Sequence, residues 1–335
     1  MRPLRIGING LGRIGRLFLR AIADDTRFNV TTVNEIGATA ADTAHLLQFD
    51  SVQGRWNGDC HADSERLWLG DHSLHYRMQA DPLSVDWSDC DLVIEASGQH
   101  AQAPAVLHGL LDAGVPRILL TAPSEYALNL VYGVNQGDYD PRNHHILSAS
   151  SCTTNCMAPV IQVLLERFGI RHGSITTVHA PTNSQVVVDR GHPDLRRARA
   201  SSLSVIPTVA CFSMAIMRIF PQLEGRLDGH AVRVPSLTAS LSDFVVEVEQ
   251  STDVQAVNQA FIDAAGGELH GILGVEDRPL VSVDYIGDPR SCVIDLPSTR
   301  VINGTQVKVY AWYDNEWGYV QRLRDLAALI AERET

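Results

Sequence analysis

The sequence predicts an α/β protein: a doubly wound parallel-sheet domain followed by an α+β domain whose sheet is mainly antiparallel. Its 335 residues exceed the roughly 100–200 residues of one ordinary domain, so we expect two domains. Strand and helix patterns alternate over about the first 150 residues, whereas few helices separate the later strand patterns. We divide the chain into domains at 1–151 and 152–317, and assign a terminal helix at 318–335 to the first domain.

The first domain begins with a short apolar strand at 4–9, after which residues 16–22 have helical spacing. The next predicted elements are a strand at 28–33, a helix at 40–48, a hairpin at 67–78, a strand at 91–98, a helix at 103–113, and strands at 117–123 and 130–134. Such alternation is typical of parallel sheets with crossover helices.

A glycine-rich turn joins the first strand to the first helix. Its spacing is G-x-G-x-x-G, with Gly10, Gly12 and Gly15 at the glycine positions and Arg13 and Ile14 before the last. The spacing alone is weak evidence, but a strand precedes it and a helix follows it, as in a Rossmann-type dinucleotide-binding turn. The three glycines permit a tight turn, the approach of a pyrophosphate, and close helix–sheet packing. We expect dinucleotide phosphates at this helix N-terminus.

Polar or small residues end the neighbouring strands. Asn34 and Glu35 end the second strand, and Glu35 lies 20 residues beyond the last glycine of the turn, where a carboxylate accepts hydrogen bonds from the adenosine ribose. A carboxylate there repels a 2′-phosphate, which favours NAD over NADP. Ser97, Gly98 and Thr121 end two later strands, and we expect them at the same cofactor-binding edge of the sheet.

The second half contains fewer helices. We predict a strand at 173–179, a polar loop at 180–204, a largely helical stretch at 206–220, strands at 230–234, 243–248, 280–284 and 306–312, and an amphipathic helix at 318–334. Consecutive strands without crossover helices indicate an antiparallel sheet.

Cys152 stands where a strand-like run meets a helical segment. A cysteine at a helix start is exposed to the positive end of the helix dipole, which favours thiolate over thiol. A buried structural cysteine is the alternative at this stage. Cys156 lies one helical turn further on, but no second ligand pair stands at a matching spacing, so we expect no metal site.

Composition excludes several classes of protein. With 39 acidic and 27 basic residues the net charge is −12, and no basic run suggests nucleic-acid binding. Lys308 is the only lysine. The six cysteines are scattered, as expected of free thiols in a reducing compartment. We find no signal peptide and no apolar run of about 18 residues, so we expect a cytoplasmic protein that does not bind membranes.

Three stretches together resemble one family. Residues 149–156 read ASSCTTNC, residues 8–16 read INGLGRIGR, and residues 312–319 read WYDNEWGY. They are similar to the signatures of phosphorylating glyceraldehyde-3-phosphate dehydrogenases, a family that includes erythrose-4-phosphate dehydrogenases. The likeness extends from residue 4 to about residue 330. It implies an NAD-binding first domain, a catalytic second domain and a homotetramer.

The resemblance also implies roles for four residues. Cys152 matches the nucleophile that attacks the aldehyde to give a hemithioacetal and then a thioester. His179 matches the histidine that accepts protons. Asn315 matches the residue that orients the nicotinamide carboxamide, and Tyr319 matches a ring that lines that pocket.

Two anion sites follow from the same resemblance, one for the substrate phosphate and one for attacking inorganic phosphate. Thr182 and Ser184 match a pair of hydroxyl residues at the substrate-phosphate site, and Arg233 matches an arginine of the anion-binding region. Ser151 and Thr153 flank the cysteine on the side of the attacking phosphate.

The loop that resembles the family's interface and cofactor loop carries Arg196 and Arg199, which serve either an anion or a subunit contact. The loop is also short. Ala210 and Cys211 replace the Thr-Gly pair with which the family usually binds attacking phosphate. The acyl acceptor therefore stays open among phosphate, water and arsenate.

Three functions remain at this stage. Thr182 and Ser184 favour oxidation of glyceraldehyde 3-phosphate, whereas the short loop favours erythrose 4-phosphate with water as acceptor. A non-catalytic NAD-binding or thiol-sensing protein is the third.

Overall fold

The computed structural model describes residues 2–182, 185–209 and 212–333. Two compact units divide the chain: Met1–Ser151 with Val320–Thr335, and Cys152–Tyr319. Within the described residues no helix is both long enough and apolar enough to cross a membrane.

The first unit is built on a mostly parallel sheet. Its strands are β1 Leu4–Asn9, β2 Phe28–Asn34, β3 Phe49–Asp50, β4 Gly54–Arg55, β5 Cys60–Ala62, β6 Arg66–Leu69, β7 His72–Arg77, β8 Leu92–Glu95, β9 Ile118–Leu120, β10 Leu128–Asn129 and β11 Ile146–Ser148, and its helices are α1 Arg13–Ile22, α2 Ala40–Gln48 and α3 Pro104–Asp112. The strand order is β10-β11-β9-β8-β1-β2-β7-β6-β5, in which β5–β6 and β6–β7 are the antiparallel pairs. β3 and β4 pair antiparallel in a separate two-stranded sheet. The doubly wound prediction is confirmed.

Helix α1 is amphipathic. It buries Leu17, Phe18 and Ile22, while Arg13 and Arg20 keep part of their surface exposed. Strand β8 is buried at every position, which is typical of a parallel strand covered on both faces. These apolar contacts hold the glycine-rich turn against the sheet.

The carboxyl ends of β1, β2 and β8 meet at one edge of the sheet. Asn9 pairs with Asn34 on one side and with Glu95 on the other. The segments that follow these three strands therefore begin close together.

The second unit contains a mostly antiparallel sheet. Its strands are β12 Ile170–His179, β13 Ile206–Val209, β14 Leu227–Arg233, β15 Ser240–Val248, β16 Leu273–Glu276, β17 Cys292–Asp295, β18 Arg300–Ile302 and β19 Gln306–Tyr313. Its helices are α4 Cys152–Phe168, α5 Phe212–Ile219 and α6 Val254–Gly266, and α7 Trp317–Arg333 begins here and continues into the first unit. The order is β13-β14-β12-β15-β19-β17-β16, with β18 paired to β19. Only β12–β14 and β16–β17 are parallel, so the expected mainly antiparallel sheet is confirmed.

Alternating burial gives this sheet two different faces. Along β15 and β19, every second side chain is buried and those between are partly exposed. Helix α4 packs against the buried face. On the more exposed face Lys308 forms an ion pair with Asp243 at 2.5 Å, and its side-chain nitrogen lies 5.0 Å from the centre of the Tyr310 ring.

The stretch 206–220 was predicted to be largely helical, and that prediction is wrong for its first part. Residues 206–209 form β13, at the edge of the sheet, and α5 begins only at Phe212. Pro207 explains the difference, because proline is unfavourable inside a helix but tolerated in an edge strand.

Two predicted strands are also absent at 130–134 and 280–284. In the first, Gly133 has φ +95° and the chain turns. In the second, the Asp284 carboxylate accepts a hydrogen bond from the Val281 N–H at 2.8 Å and caps a short 3₁₀-helix. The apolar alternation there has no strand partner to pair with.

Candidate active site

The thiol of Cys152 and the imidazole of His179 meet within the second unit. Cys152 is the first residue of α4, and His179 is the last residue of β12. The Cys152 Sγ lies 3.4 Å from the His179 Nε2. This distance brings together a nucleophile and a base that stand 27 positions apart in the sequence.

The other ring nitrogen of His179 identifies its tautomer. The Nδ1 lies 2.6 Å from the Ala180 carbonyl oxygen, which only accepts hydrogen bonds. We assign the proton to Nδ1 on this contact, which leaves the lone pair of Nε2 facing the sulfur; the Arg233 Nη1 against Nδ1 favours the other tautomer, because a guanidinium only donates. Arg233 also donates to the Ala180 oxygen, at 2.9 Å, and its Nη1 lies against Nδ1.

Burial keeps both partners of the pair uncharged. Burial and the nearby Arg233 guanidinium lower the pKa of His179 to about 3. Burial of the sulfur raises the pKa of Cys152, although Arg233 and a hydrogen bond from Thr153 act in the opposite direction. The expectation that the helix dipole favours a thiolate is therefore wrong for the resting pair, because desolvation outweighs it.

A cluster of hydroxyl groups supports this pair. Tyr313 Oη lies 2.8 Å from Thr177 Oγ1 and 3.3 Å from Thr153 Oγ1, and so links β19 to β12 and α4. Its ring meets His179 edge-on, with centroids 6.0 Å apart. Burial raises the pKa of Tyr313, so the phenol stays protonated. Sequence reasoning missed Tyr313, although it lies in the quoted segment at 312–319.

Two arginines make this region electropositive. Arg233 pairs in register with His179 on neighbouring strands, and burial and the nearby Arg197 lower its pKa. Its Nε is buried and has no hydrogen-bond partner among the described residues. Sequence reasoning singled out Arg196 and Arg199 instead of Arg197. Arg199 forms an ion pair with Asp189 at 2.6 Å.

The remaining predicted anion-binding residues fall at different places. Thr182 lies in the loop after β12, where its N–H donates to Gln185 Oε1 at 3.3 Å. Thr153 follows the nucleophile on α4, and Ser151 precedes it as the last residue of the first unit's main segment. Ser184 lies outside the described residues, as do Ala210 and Cys211.

Asn315 is held by a buried serine. Ser240 donates its hydroxyl proton to Asn315 Oδ1 at 3.0 Å, and accepts from the Ala180 N–H at 3.2 Å. Tyr319 is also buried, and burial together with the nearby Cys152 raises its pKa. The second unit therefore brings Asn315 and Tyr319 into the surroundings of the thiol–imidazole pair.

The glycine-rich turn of the first unit fits a dinucleotide. Gly10 has φ +99°, and a Cβ on it would lie 2.5 Å from the Ser97 nitrogen. A Cβ on Gly15 would collide with the Gly10 carbonyl oxygen. A Cβ on Gly12, by contrast, would meet nothing within 4 Å. Helix α1 begins without an acidic residue in its first turn. Open space and uncapped N–H groups suit a phosphate.

Glu35 lies beside the same turn. Its Oε2 accepts from the Leu11 N–H and its Oε1 from the Gly37 N–H, each at 2.6 Å. Arg13 forms an ion pair with Asp50 at 2.5 Å, whereas Ile14 is partly exposed on the first turn of α1.

A buried polar network connects the strand ends. Asn34 donates to Asn9 at 2.8 Å, and Asn9 donates to Glu95 at 2.5 Å. Glu95 in turn accepts from the Ser97 N–H at 2.9 Å, which holds the Ser97–Gly98 turn, and its backbone carbonyl oxygen accepts from Thr121 Oγ1 at 3.1 Å. Sequence reasoning missed Glu95, a buried acid at the end of an apolar strand.

Within the described part of the chain, no group of three or more His, Cys, Asp or Glu side chains is arranged to hold a metal ion.

Comparison with known proteins identifies the family. The model "Glyceraldehyde 3-phosphate dehydrogenase, NAD binding domain" matches residues 4–103, and the corresponding C-terminal domain model matches residues 151–315. Glyceraldehyde-3-phosphate dehydrogenase 3 of Nostoc sp. is 51% identical over 333 residues, which is 98% of each chain. Glyceraldehyde-3-phosphate dehydrogenase of Geobacillus stearothermophilus is 44% identical over 335 residues, and glyceraldehyde-3-phosphate dehydrogenase 1 of Bacillus subtilis is 42% identical over 334 residues; both alignments cover 98% of this chain and 99% of the relative.

The fold, the thiol–imidazole pair and these matches define an NAD-dependent oxidoreductase that acts on an aldehyde. The family resemblance inferred from three short segments is thereby confirmed. The chain belongs to the glyceraldehyde-3-phosphate dehydrogenase family, whose members act on phosphorylated aldehydes. The roles of individual residues stay predictions.

Proposed function

We propose that this protein oxidises glyceraldehyde 3-phosphate with NAD and inorganic phosphate to 1,3-bisphosphoglycerate. The observation that carries the proposal is the 3.4 Å approach of Cys152 Sγ to His179 Nε2. This pair allows a thiol to attack an aldehyde while its proton moves to a neighbouring base.

The first step forms a hemithioacetal. The Cys152 sulfur bonds to the aldehyde carbon, and the thiol proton passes through His179 Nε2 to the aldehyde oxygen, which becomes a hydroxyl. The first-turn N–H groups of α4 have no acceptor within the helix, and they lie at Cys152, where negative charge develops on that oxygen.

The second step is a two-electron oxidation. Bound NAD supplies the hydride acceptor. His179 Nε2 takes the hydroxyl proton as the hydride leaves carbon, and Cys152 is left with an acyl group as a thioester. A phosphate oxygen then attacks the thioester carbonyl, the carbon–sulfur bond breaks, and Cys152 recovers a proton.

We propose cofactor contacts in each unit separately. In the first unit, phosphates bind at the glycine-rich turn and the adenosine ribose at Glu35, whose carboxylate favours NAD. The proposed contacts there are Gly10, Gly12, Arg13, Ile14, Gly15, Asn34, Glu35, Ser97, Gly98 and Thr121. In the second unit, Asn315 orients the nicotinamide carboxamide and Tyr319 lines its pocket.

The electropositive surroundings of the pair bind the two anions. Arg233, with Thr182 and Ser184, takes the substrate phosphate, and Ser151 and Thr153 serve the attacking phosphate. Arg233 supports this role because it is largely buried and its Nε has no hydrogen-bond partner among the described residues.

We also propose a homotetramer in the cytoplasm. The loop of the second unit exposes large apolar side chains, which a partner subunit would cover. They are Val187, Val188, Leu195, Leu203, Val205 and Val209. The buried thiols of Cys60, Cys90 and Cys156 support a reducing compartment.

Erythrose 4-phosphate oxidation with water as acyl acceptor is the second candidate. Ala210 and Cys211 favour it, since they replace the pair with which the family usually binds attacking phosphate. The short loop before Arg196 resembles a branch of the family linked with arsenate handling, and it leaves arsenate as a further acceptor.

One assay separates these candidates. Purified protein is given each aldehyde with NAD, with no added oxyanion, with phosphate, or with arsenate. We expect a higher kcat/KM for glyceraldehyde 3-phosphate and turnover that depends on phosphate. A higher kcat/KM for erythrose 4-phosphate, or turnover that needs no oxyanion, contradicts the proposal. Turnover that occurs with arsenate but not with phosphate identifies arsenate as the acceptor.

A further inference from the structure

Ser240 connects the base of the site to the residue proposed to orient the nicotinamide. It is the first residue of β15 and only 1% of its surface is exposed. Its hydroxyl lies 3.2 Å from the Ala180 nitrogen and 3.0 Å from Asn315 Oδ1. A buried hydroxyl with two partners is a fixed element of the site, because leaving either partner unsatisfied costs free energy.

The directions of these two hydrogen bonds follow from the chemistry of the Ala180 N–H. A backbone N–H only donates, so the Ser240 oxygen must accept from Ala180. The single hydroxyl proton of Ser240 is then available for Asn315. In the hydrogen-bond network this proton is donated to Asn315 Oδ1, which assigns the oxygen of the amide to the side that faces Ser240.

This assignment determines what Asn315 offers to a ligand. Half a turn of the amide group would replace Oδ1 by Nδ2 opposite Ser240, and the serine proton would lose the acceptor that it has in this structure. The Nδ2 donors therefore point away from Ser240, and they are the part of the side chain left for an incoming group. A carboxamide oxygen is an acceptor that matches them.

We propose that Ser240 is a positioning residue that orients the Asn315 amide so that its Nδ2 donates to the carboxamide oxygen of NAD. The inference rests on the proposed role of Asn315. The same hydroxyl anchors the N–H of Ala180, whose carbonyl oxygen accepts from His179 Nδ1 at 2.6 Å. One serine thus holds both the base and the nicotinamide contact in place.

Ser242 is a matched control. It lies two positions further on the same strand, on the same face, and is also fully buried. Its hydroxyl accepts from the Cys156 thiol at 3.8 Å. Replacement of either serine by alanine removes the same atoms from the same strand, but only one of them contacts Asn315.

The test compares two ligands by isothermal titration calorimetry. NAD carries the nicotinamide, whereas ADP-ribose lacks it and keeps the remainder of the binding determinants. We expect Ser240→Ala to raise the dissociation constant for NAD about 5–20-fold and to leave that for ADP-ribose unchanged, since one hydrogen-bonded contact is lost. Ser242→Ala should change neither constant more than about twofold.

A double-mutant cycle adds a second readout. Once Asn315→Ala has removed the amide, Ser240→Ala should weaken NAD binding no further. If Ser240→Ala does not fold, Ser240→Cys, which keeps a weak donor of similar size, takes its place and should give a smaller loss of the same sign.

Three results overturn the inference: equal losses for NAD and ADP-ribose, an unchanged NAD constant in Ser240→Ala, or additive losses in the cycle. A wild-type protein that binds ADP-ribose and NAD equally well would instead contradict the proposed nicotinamide contact of Asn315, and so the two failures are distinguishable.

Discussion

At the scale of single residues, the chemistry depends on a neutral imidazole held next to a cation. His179 is 2% exposed, and the Arg233 guanidinium lies against its Nδ1. A protonated ring there would face both desolvation and a like charge. If an anion binds to Arg233, as we propose, that repulsion falls, so a phosphorylated substrate would increase the basicity of His179, the proposed proton acceptor.

The neutral state of His179 makes stability depend on pH. Its folded-state pKa of about 3 lies below the ordinary value of 6.5, so the unfolded chain binds the proton first as pH falls. Stability is therefore lost progressively below about pH 6.5. Between about pH 7.5 and pH 5 the loss in free energy of unfolding from this residue is about 2 kcal/mol, at about 1.4 kcal/mol per pH unit.

Urea unfolding of wild type and His179→Asn at the two pH values measures this difference. We expect a smaller pH dependence in the variant, by about 2 kcal/mol, because an amide does not titrate. His172→Asn, at an exposed position on the same strand, controls for loss of an imidazole and should behave like wild type. An unchanged pH dependence in His179→Asn would show that folding does not shift the pKa of this imidazole.

Sequence reasoning reached some of these residues and not others, for a physical reason. Cys152 is identifiable because a helix start and a distinctive segment coincide with it. Ser240 bonds to Asn315, 75 positions away, and Tyr313 bonds to Thr177, 136 positions away. No local sequence pattern indicates such pairs. The thiol pKa was misjudged because burial of the sulfur is a property of the fold.

At the scale of elements, the β1–α1 turn requires two things of Gly10. Its φ of +99° is unfavourable for other residues, and a Cβ would lie 2.5 Å from the Ser97 nitrogen. Gly114 has a similar φ of +95°, but a Cβ there meets nothing within 4 Å. Comparison of the two positions therefore separates the free-energy cost of the backbone dihedral angle from the cost of a steric collision.

Alanine substitutions at these glycines test that separation. We expect Gly114→Ala to cost about 1–2 kcal/mol of unfolding free energy through its dihedral angle alone. Gly10→Ala should cost a further roughly 1–3 kcal/mol through overpacking, and should also weaken ADP-ribose binding, since it displaces the Ser97 segment. Urea unfolding and calorimetry measure the two effects, and equal losses for both variants would rule out the collision.

Elements that carry their own signal were predictable, and those that depend on context were not. The helix Ala40–Gln48 was predicted with its observed bounds, because its periodicity and cap are local. Residues 206–209 were predicted to be helical but form a strand. The prediction followed the apolar run and did not take account of Pro207. At 280–284 the alternation was present, but the Asp284 carboxylate caps a turn instead.

At the scale of the whole molecule, a lone chain does not explain the exposed apolar side chains on the loop before β13 and on β13 itself. Leu203 is 85% exposed and Val209 83% exposed, in a protein of net charge −12. Covering these side chains would release ordered water and stabilise an assembly.

Leu203→Asp tests whether this loop mediates association. A carboxylate in an apolar interface is costly to desolvate, so we expect the proposed tetramer to dissociate to smaller species in light scattering at micromolar concentration. Leu83→Asp, at a surface position of the first unit that is 42% exposed, is the control and should stay tetrameric. A tetramer that survives Leu203→Asp would assign the interface to another surface.

The ion pair of Lys308 has a consequence for how the protein coexists with its own substrate. Free aldehydes condense with neutral amines to give imines, and an aldehyde-handling enzyme rich in lysines would slowly label itself. This chain has a single side-chain amine, and it forms an ion pair with Asp243 at 2.5 Å. To reach an aldehyde, that group must first leave its partner. Covalent capture is then directed to the thiol of Cys152, the nucleophile that we propose, where it is the productive reaction.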